Sequence, residues 1–341
     1  MRRSWLVYGL LLAVMIFFIA GCANKWRTSG KIAMGQKNWE KAIGDFQKAL
    51  EQDPDDGEAH FLIARAYKES GDFESMLSHL DAADSLWPKG EKKIRELRAG
   101  TWQQVFNSGL KNADGEEYEQ ARNDFELAIA VLPERYEAYT NLGFVWQRLD
   151  NNDSAFYYYA QGYEMDPDNI RILENFASLC FNMEMYAKAD SLYEKILSQD
   201  PNNAEAILRR GAIASENEDY TTAVDYYTRA LDLEPDNCDL WFNLGILYFQ
   251  EIKNNEEAVS AFSRARELCP DNANPRINLN VVLLTMERFD EVIVNLETFT
   301  LDFPDECVGW DLYSQALLRK GMRKRALEAN NKYEECKGAK Q

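Results

Sequence analysis

PERYEAYTNLGFVWQRLDNNDSAFYYYAQGYEMDP, residues 133 to 167, decides the fold. It runs from one proline to the next. In its first half Tyr139, Leu142, Gly143 and Trp146 recur at steps of three or four. In its second half Ala155, Tyr159 and Gly162 do the same. Such steps mark one face of a helix. The polar run Asp150 to Asp153 between them reads as a turn. The stretch is therefore two helices, each with one apolar face.

The pattern extends in both directions. Eight of the nine prolines form a ladder at Pro54, Pro88, Pro133, Pro167, Pro201, Pro235, Pro270 and Pro304, with spacings of 34, 45, 34, 34, 34, 35 and 34 residues. A fixed period of this size means stacked supersecondary units. Twelve residues before each proline stand Ala42, Met76, Ala121, Ala155, Ala189, Ala223, Ala258 and Val292. Eight before stand Phe46, Leu80, Phe125, Tyr159, Tyr193, Tyr227, Phe262 and Leu296. Twenty-four before stand Gly30, Ala64, Gly109, Gly143, Ala177 and Gly211, with Gly245 one place further back. A small residue there lets two helices approach closely. Proline cannot continue the second helix, and an Asp or Asn two residues on suits the cap of the next one. Pro275, outside the ladder, reads as the first residue of a helix capped by Asn274.

These columns closely resemble the tetratricopeptide repeat family. The resemblance implies an all-α fold, a tetratricopeptide-repeat α-solenoid built as a right-handed superhelix of helical hairpins. Repeats fall at 23–56, 57–90, 102–135, 136–169, 170–203, 204–237, 238–272, 273–306 and 307–336, with a tail at 337–341. The ninth keeps Trp310, Leu317 and Ala326 in register but has Asn330 where an aromatic belongs, as a polar cap requires. The long spacing adds residues 91–101, EKKIRELRAGT. Eleven residues are about three turns at ~3.6 per turn, so the third repeat's first helix is expected to start three turns early, with Ile94 and Leu97 on its apolar side. Repeat seven holds one extra residue near Glu251 to Asn255, expected in the turn between its helices.

Residues 1–21 are of another kind. Arg2 and Arg3 precede an uncharged run from Trp5 to Ala20, as in an export signal. Ile19-Ala20-Gly21-Cys22 resembles a bacterial lipobox, which implies removal of 1–21 and lipidation of Cys22. An uncleaved anchor helix is the alternative, although the run is shorter than the about 20 residues of a span. By resemblance to lipoprotein sorting signals, Ala23 lacks the aspartate of inner-membrane retention. The expected location is the outer membrane, facing the periplasm, with the cell surface or inner membrane as alternatives. Trp26 already belongs to the first repeat, so the array would start close to the bilayer.

The formal charge of −19 repels phosphate backbones and argues against nucleic acid as partner. The two histidines, His60 and His79, read as packing and surface residues. No zinc-ligand spacing, phosphate-binding glycine loop or serine elbow is present. Acidic stretches such as DPDDGE at 53–58 are inter-repeat loops with glycine misplaced for an EF-hand. The expectation is no enzyme, no metal and no cofactor. Cys238 opens repeat seven and Cys269 closes it; Cys307 and Cys336 do the same for repeat nine. Antiparallel helices bring such ends to one edge, so Cys238–Cys269 and Cys307–Cys336 disulfides are expected, as an oxidising compartment permits, with free thiols at the loop edges as the alternative. Cys180 sits in a core column as a free thiol.

The resemblance also implies a concave groove lined by the first helices. Asn107, Asn141, Asn175 and Asn278 share one column, with Asn243 one place back and Arg209 interrupting. Amides in a row are suited to a peptide backbone; the alternative is bonding to neighbouring helices. Phe106 and Phe144 flank that column. Arg27, Lys31, Arg65 and Lys68 make the first two repeats basic. Phe242, Ile246, Phe249, Ile277, Val281 and Leu284 form an apolar strip, read as an interaction surface or as a face covered by the C-terminal helix or a second copy. The expected function is a membrane-anchored scaffold or adaptor that holds a protein or peptide partner in cell-envelope complex assembly. A self-associating structural spacer, as a homodimer, and a thiol-redox factor are the alternatives.

Overall fold

The computed structural model describes residues 25–339. The segment 1–21, the lipobox cysteine Cys22 and Ala23 lie outside them. The described residues are helical hairpins joined by short loops, with no strand among them. The chain divides into two compact units, Met1–Leu179 and Cys180–Gln341.

The first unit holds α1 (25–35), α2 (Trp39–Leu50), α3 (Gly57–Ser70), α4 (Phe73–Leu86), a 3₁₀ turn at Pro88–Gly90, α5 (Glu91–Asp114), α6 (Tyr118–Val131), α7 (Tyr136–Arg148) and α8 (Asn152–Met165). Helix α9 (Ile170–Asn182) runs across the division. The second unit continues with α10 (Tyr186–Gln199), α11 (Ala204–Glu216), α12 (Tyr220–Leu233), α13 (Cys238–Ile246), a π-helical turn (Leu247–Ile252), α14 (Asn255–Leu268), α15 (Ala273–Thr285), α16 (Phe289–Asp302), α17 (Cys307–Arg319) and α18 (Arg323–Ala339).

The loop chemistry works as its residue types require. Asp56, Asn203, Asn237 and Asn272, each two residues after a ladder proline, accept hydrogen bonds from backbone N–H groups of the next helix. Asn272, not Asn274, caps α15, which begins at Ala273. Pro275 is thus the third helical residue rather than the first. Proline is harmless there because N–H groups of the first turn have no intrahelical acceptor.

Within each hairpin one residue takes a left-handed backbone. Lys37, Glu116, Asp150, Glu184, Glu218, Lys253 and Glu287 have φ of 56 to 61°, and Gly71 and Gly321 have 83 and 75°. They recur with the period of the prolines. After each, a backbone N–H bonds back to the end of the first helix, as in Asp219 N–H to Ala214 O at 2.8 Å. Seven of the nine are not glycine, although a side chain in this region costs about 1–2 kcal/mol.

The second helices bury their small-aromatic-small stripe almost completely. Ala42, Phe46 and Ala49 have no exposure, nor have Ala121, Phe125 and Ala128. Opposite them lie the small residues of the first helices. A Cβ on Gly143 would stand 2.8 Å from the Tyr159 ring, and one on Gly109 would stand 2.7 Å from Phe125.

Residues 91–101 are the first three turns of the single helix α5. Ile94 is buried and Leu97 packs partly buried on the first unit's core. Arg98 fixes the extension by donating to the Val131 carbonyl at 3.2 Å and pairing with Asp81. The extra residue of repeat seven lies inside the end of its first helix, which widens into the π turn 247–252. Leu247 stays buried, and the left-handed turn at Lys253 follows as in the other hairpins.

Both expected disulfides are present, Cys238–Cys269 with Cα atoms 6.1 Å apart and Cys307–Cys336 at 5.6 Å. Each closes a loop of about 30 residues, which the chain-entropy account values at roughly 3–4 kcal/mol. Cys180 is the free, buried cysteine of the described residues. Helix α18 buries Ala326 and Ala329 and leaves its other face, including Asn330, to solvent.

Replacing Glu218 by Gly is expected to raise the unfolding free energy by up to about 1 kcal/mol, read as a higher urea midpoint. Glu218→Val is expected to lower it, since a branched side chain tolerates this backbone least. Equal midpoints for both variants would show that the left-handed turn carries no strain.

Candidate partner-binding groove

Helices α5, α7 and the start of α9 bring four of the predicted contact residues to one place. Phe106, Asn141, Phe144 and Asn175 line a cavity of 530 Å³ in the first unit, together with Leu110, Tyr136, Glu137, Thr140, Asn169, Arg171 and Ile172. Its floor is apolar. Phe106 is stacked on Trp102 at 4.5 Å, Ile172 is buried, and Phe144 is 39% exposed. An aromatic ring fixed in this way presents apolar surface at low entropic cost.

The polar rim differs from an unbroken asparagine row. Asn141 Nδ2 donates to the Glu137 carbonyl of its own helix at 2.7 Å, which leaves its Oδ1 as an acceptor. Asn278 Nδ2 is spent in the same way on the Asn274 carbonyl at 3.0 Å. A side chain four residues past a carbonyl competes for it, and two of the five asparagines take that option. Among the described residues, the Asn175 amide and the Arg171 guanidinium have no hydrogen-bond partner. Glu137 is held by Arg135 at 2.7 Å. The groove thus offers one acceptor, one complete amide and one cation around an apolar floor. Arg171 and Ile172 were not singled out in the sequence, because one repeat does not show which turn of α9 faces a neighbour.

The remaining predicted residues lie elsewhere. Asn107 is exposed on α5 and does not line the cavity. Asn243 is exposed on α13. The apolar strip is not an open surface. Phe242, Ile246, Phe249, Ile277, Val281 and Leu284 are partly buried and pack on the core of the second unit. Phe242, for example, lies against Phe262 with ring centroids 5.7 Å apart. Most of each residue's surface is already covered inside the fold. Arg209 packs over the Phe181 ring at 4.8 Å and bonds Glu205 at 2.7 Å.

Two of the four basic residues of the first repeats are paired from within. Arg27 pairs with Asp56 at 2.8 Å and Lys31 with Glu58 at 2.9 Å. The hydrogen bond from Lys31 holds the Glu58 carboxyl below its ordinary range. A second cavity, of 750 Å³, lies beside them. Met34, Trp39, Phe61, Leu62 and Trp87 supply its apolar lining, and the α5 extension closes one side with Lys93, Glu96 and Leu97. The sequence signal for it was the 11-residue insertion, whose helical reading did not reveal that it walls a groove.

The histidines form one unit. His60 Nε2 lies 3.0 Å from the Pro54 carbonyl, six residues back. The indoles of Trp241 and Trp310 donate to Pro235 and Pro304 across the same interval. The carbonyl can only accept, so Nε2 of His60 carries its proton. Its Nδ1 then accepts from His79 Nδ1, 2.9 Å away. Among the described residues no group of three potential ligands gathers for a metal ion.

Two family models, each described as tetratricopeptide repeat, match residues 33–85, 181–237 and 208–273. The chain carries tetratricopeptide repeats. A tetratricopeptide repeat protein from Parabacteroides merdae has the same fold, with a TM-score of 0.50 at 20% identity over 70% of this chain and 93% of that one. Protein O-mannosyl-transferase TMTC3 of Mus musculus is 26% identical over 159 residues, 46% of this chain and 17% of that protein. Peptidyl-prolyl cis-trans isomerase PASTICCINO1 of Arabidopsis thaliana is 30% identical over 121 residues, 33% of this chain and 17% of that protein. The likeness to these curated relatives therefore spans about a sixth of their length.

Burial, and then the charge of His60, lower the pKa of His79 from its ordinary value. The unfolded chain then takes up a proton near pH ~6.5 that the folded chain refuses. This contribution is fully present above about pH 6.5 and is lost as pH falls through the lowered folded value. The urea midpoint is expected to drop between pH 7.5 and 5.5, and His79→Phe to reduce that drop. An undiminished drop in the variant would assign the effect to other groups.

Proposed function

We propose that the protein is a membrane-anchored scaffold whose first unit holds an extended segment of a protein partner in the groove between α5, α7 and α9. The observation that carries this reading is the convergence of Phe106, Phe144 and Ile172 with Asn141 and Asn175 around one cavity of 530 Å³. An extended segment would set an apolar side chain on the aromatic floor. Its backbone N–H would meet Asn141 Oδ1, and its carbonyl the Asn175 amide or Arg171. Such contacts read few side chains, which suits an adaptor.

The anchor rests on residues 1–22, which lie outside the described structure. Lipidation of Cys22 would tether the array to a membrane, with the outer membrane and its periplasmic face as the proposed place. Cell-envelope complex assembly is the setting that such a tether favours. Binding is favoured over the thiol-redox alternative by the state of the described thiols. Four are paired in disulfides, and burial pushes the Cys180 thiol up to about 11, far from a reactive thiolate.

A second reading is favoured by the exposed apolar side chains of the last repeats. Val294, Leu301, Leu318 and Leu327 are 57 to 79% exposed. They suit contact with a second copy, and would make the protein a self-associating spacer.

The reading is tested by detergent extraction of the tagged full-length chain from its native envelope, with quantitative mass spectrometry of what co-purifies. Phe144→Asp is expected to lower recovery of a specific partner by about tenfold or more, with circular dichroism unchanged. Cys22→Ser is expected to move the protein from membrane to soluble fraction. Equal recovery with Phe144→Asp would refute the groove, and membrane retention of the Cys22 variant would refute the lipid anchor. Concentration-dependent dimers abolished by Leu301→Glu would establish the spacer instead.

A further inference from the structure

A separate cavity of 250 Å³ lies in the second unit, between the last turn of α14, the loop at Pro270, α15 and α16. Its lining is Arg266, Pro270, Arg276, Leu279, Asn280, Asn295 and Thr298. Two of these seven are arginines and none is acidic, in a chain of formal charge −19. Arg276 is held in place. It pairs with Asp302 at 2.7 Å and donates to Thr298 Oγ1 at 3.1 Å. Arg266 is half-buried, and among the described residues it has neither an ion pair nor a hydrogen bond. A guanidinium is a planar fork of donors suited to oxyanions.

Asn280 makes the cavity more selective. It is 1% exposed, its Nδ2 donates to the Arg276 carbonyl at 2.7 Å, and its Oδ1 has no donor. Buried carbonyl oxygens are nearly always satisfied, so one left open at a cavity lined by donors points to an occupant. That occupant accepts from Arg266 and donates to Asn280.

We propose that this cavity binds a protonated tetrahedral oxyanion, either inorganic hydrogenphosphate or the singly protonated monoanion of a small phosphate monoester. At neutral pH hydrogenphosphate presents oxygens to Arg266 and to the Asn295 amide, and its P–O–H donates to Asn280 Oδ1. Sulfate and ionised carboxylates lack that proton and leave the carbonyl unsatisfied. The cavity exceeds the ~30 Å³ share of one water, so a phosphate with a short substituent fits. The site stands apart from the α5–α9 groove and does not depend on it.

The test is calorimetric titration of the full-length chain in mild detergent with sodium phosphate, O-phosphoserine, sodium sulfate and sodium acetate at matched ionic strength. Saturable binding of phosphate is expected, with sulfate and acetate weaker by about tenfold or more, the value of one charged hydrogen bond. Arg266→Ala, which removes a side chain with no bonds of its own, is expected to weaken phosphate by about the same factor. Asn280→Leu, with its fold checked by circular dichroism, is expected to bring phosphate and sulfate toward equal affinity. Tighter binding of O-phosphoserine than of phosphate assigns the monoester, and the reverse assigns the free ion. Absence of saturable phosphate binding, equal affinity for sulfate, or an unaffected Arg266→Ala variant would each overturn the proposal.

Discussion

An aromatic ring of the second helix pressed onto a glycine of the first helix of the same hairpin sets the geometry on which the other features depend. Phe46 lies on Gly30, Phe125 on Gly109, Tyr159 on Gly143, Tyr227 on Gly211 and Phe262 on Gly245. In each pair a Cβ on the glycine would come within 2.8 Å of the ring. A methyl group would push the helices apart where the ring is enclosed in a close-packed core, as Phe46, Phe125, Tyr159 and Phe262 are. Close pairing of the helices leaves one side of each first helix for the next repeat. What remains uncovered on α5, α7 and α9 becomes the groove.

That constraint also explains what was legible in the sequence. A small residue opposite an aromatic is a demand on residue type, so the columns at Gly143 and Tyr159 announce themselves. The caps at Asp56, Asn203 and Asn237 were readable for the same reason, since few side chains can accept from a helix N-terminus. The left-handed turns were not. At Glu116, Glu184, Glu218 and Glu287 the backbone adopts a strained conformation with an ordinary exposed side chain, and no residue type betrays it. The extra residue of repeat seven was expected in the turn near Glu251 to Asn255, and it widens the end of the first helix at Leu247–Ile252 instead, because an insertion fixes how many residues are added, not which turn widens. Pro275 was misread because Asn272 and Asn274 both suit a cap, and only the observed helix start decides between them.

The candidate site was legible in part. Asn141 and Asn175 were found because their column recurs in register, and Phe106 and Phe144 because they flank it; the packing of α5, α7 and α9 brings the four together. The same column gave too much weight to Asn141 and Asn278, whose amide donors are taken by their own helices. The strip from Phe242 to Leu284 looked free because helical periodicity distinguishes faces but not how far a neighbour covers them. The ion pairs of the first repeats were invisible for a related reason. Arg27 and Asp56 are 29 residues apart and meet only through the stacking of α1 on α3.

The central claim is that a partner occupies the groove of the first unit. Hydrogen–deuterium exchange of the full-length chain, alone and with its co-purified partner, tests this most directly. The account predicts slowed exchange on binding around residues 103–110, 137–144 and 171–176, with the second helices of the same hairpins unchanged. Protection confined to α6 and α8, or to α13 and α15 in the second unit, would contradict it.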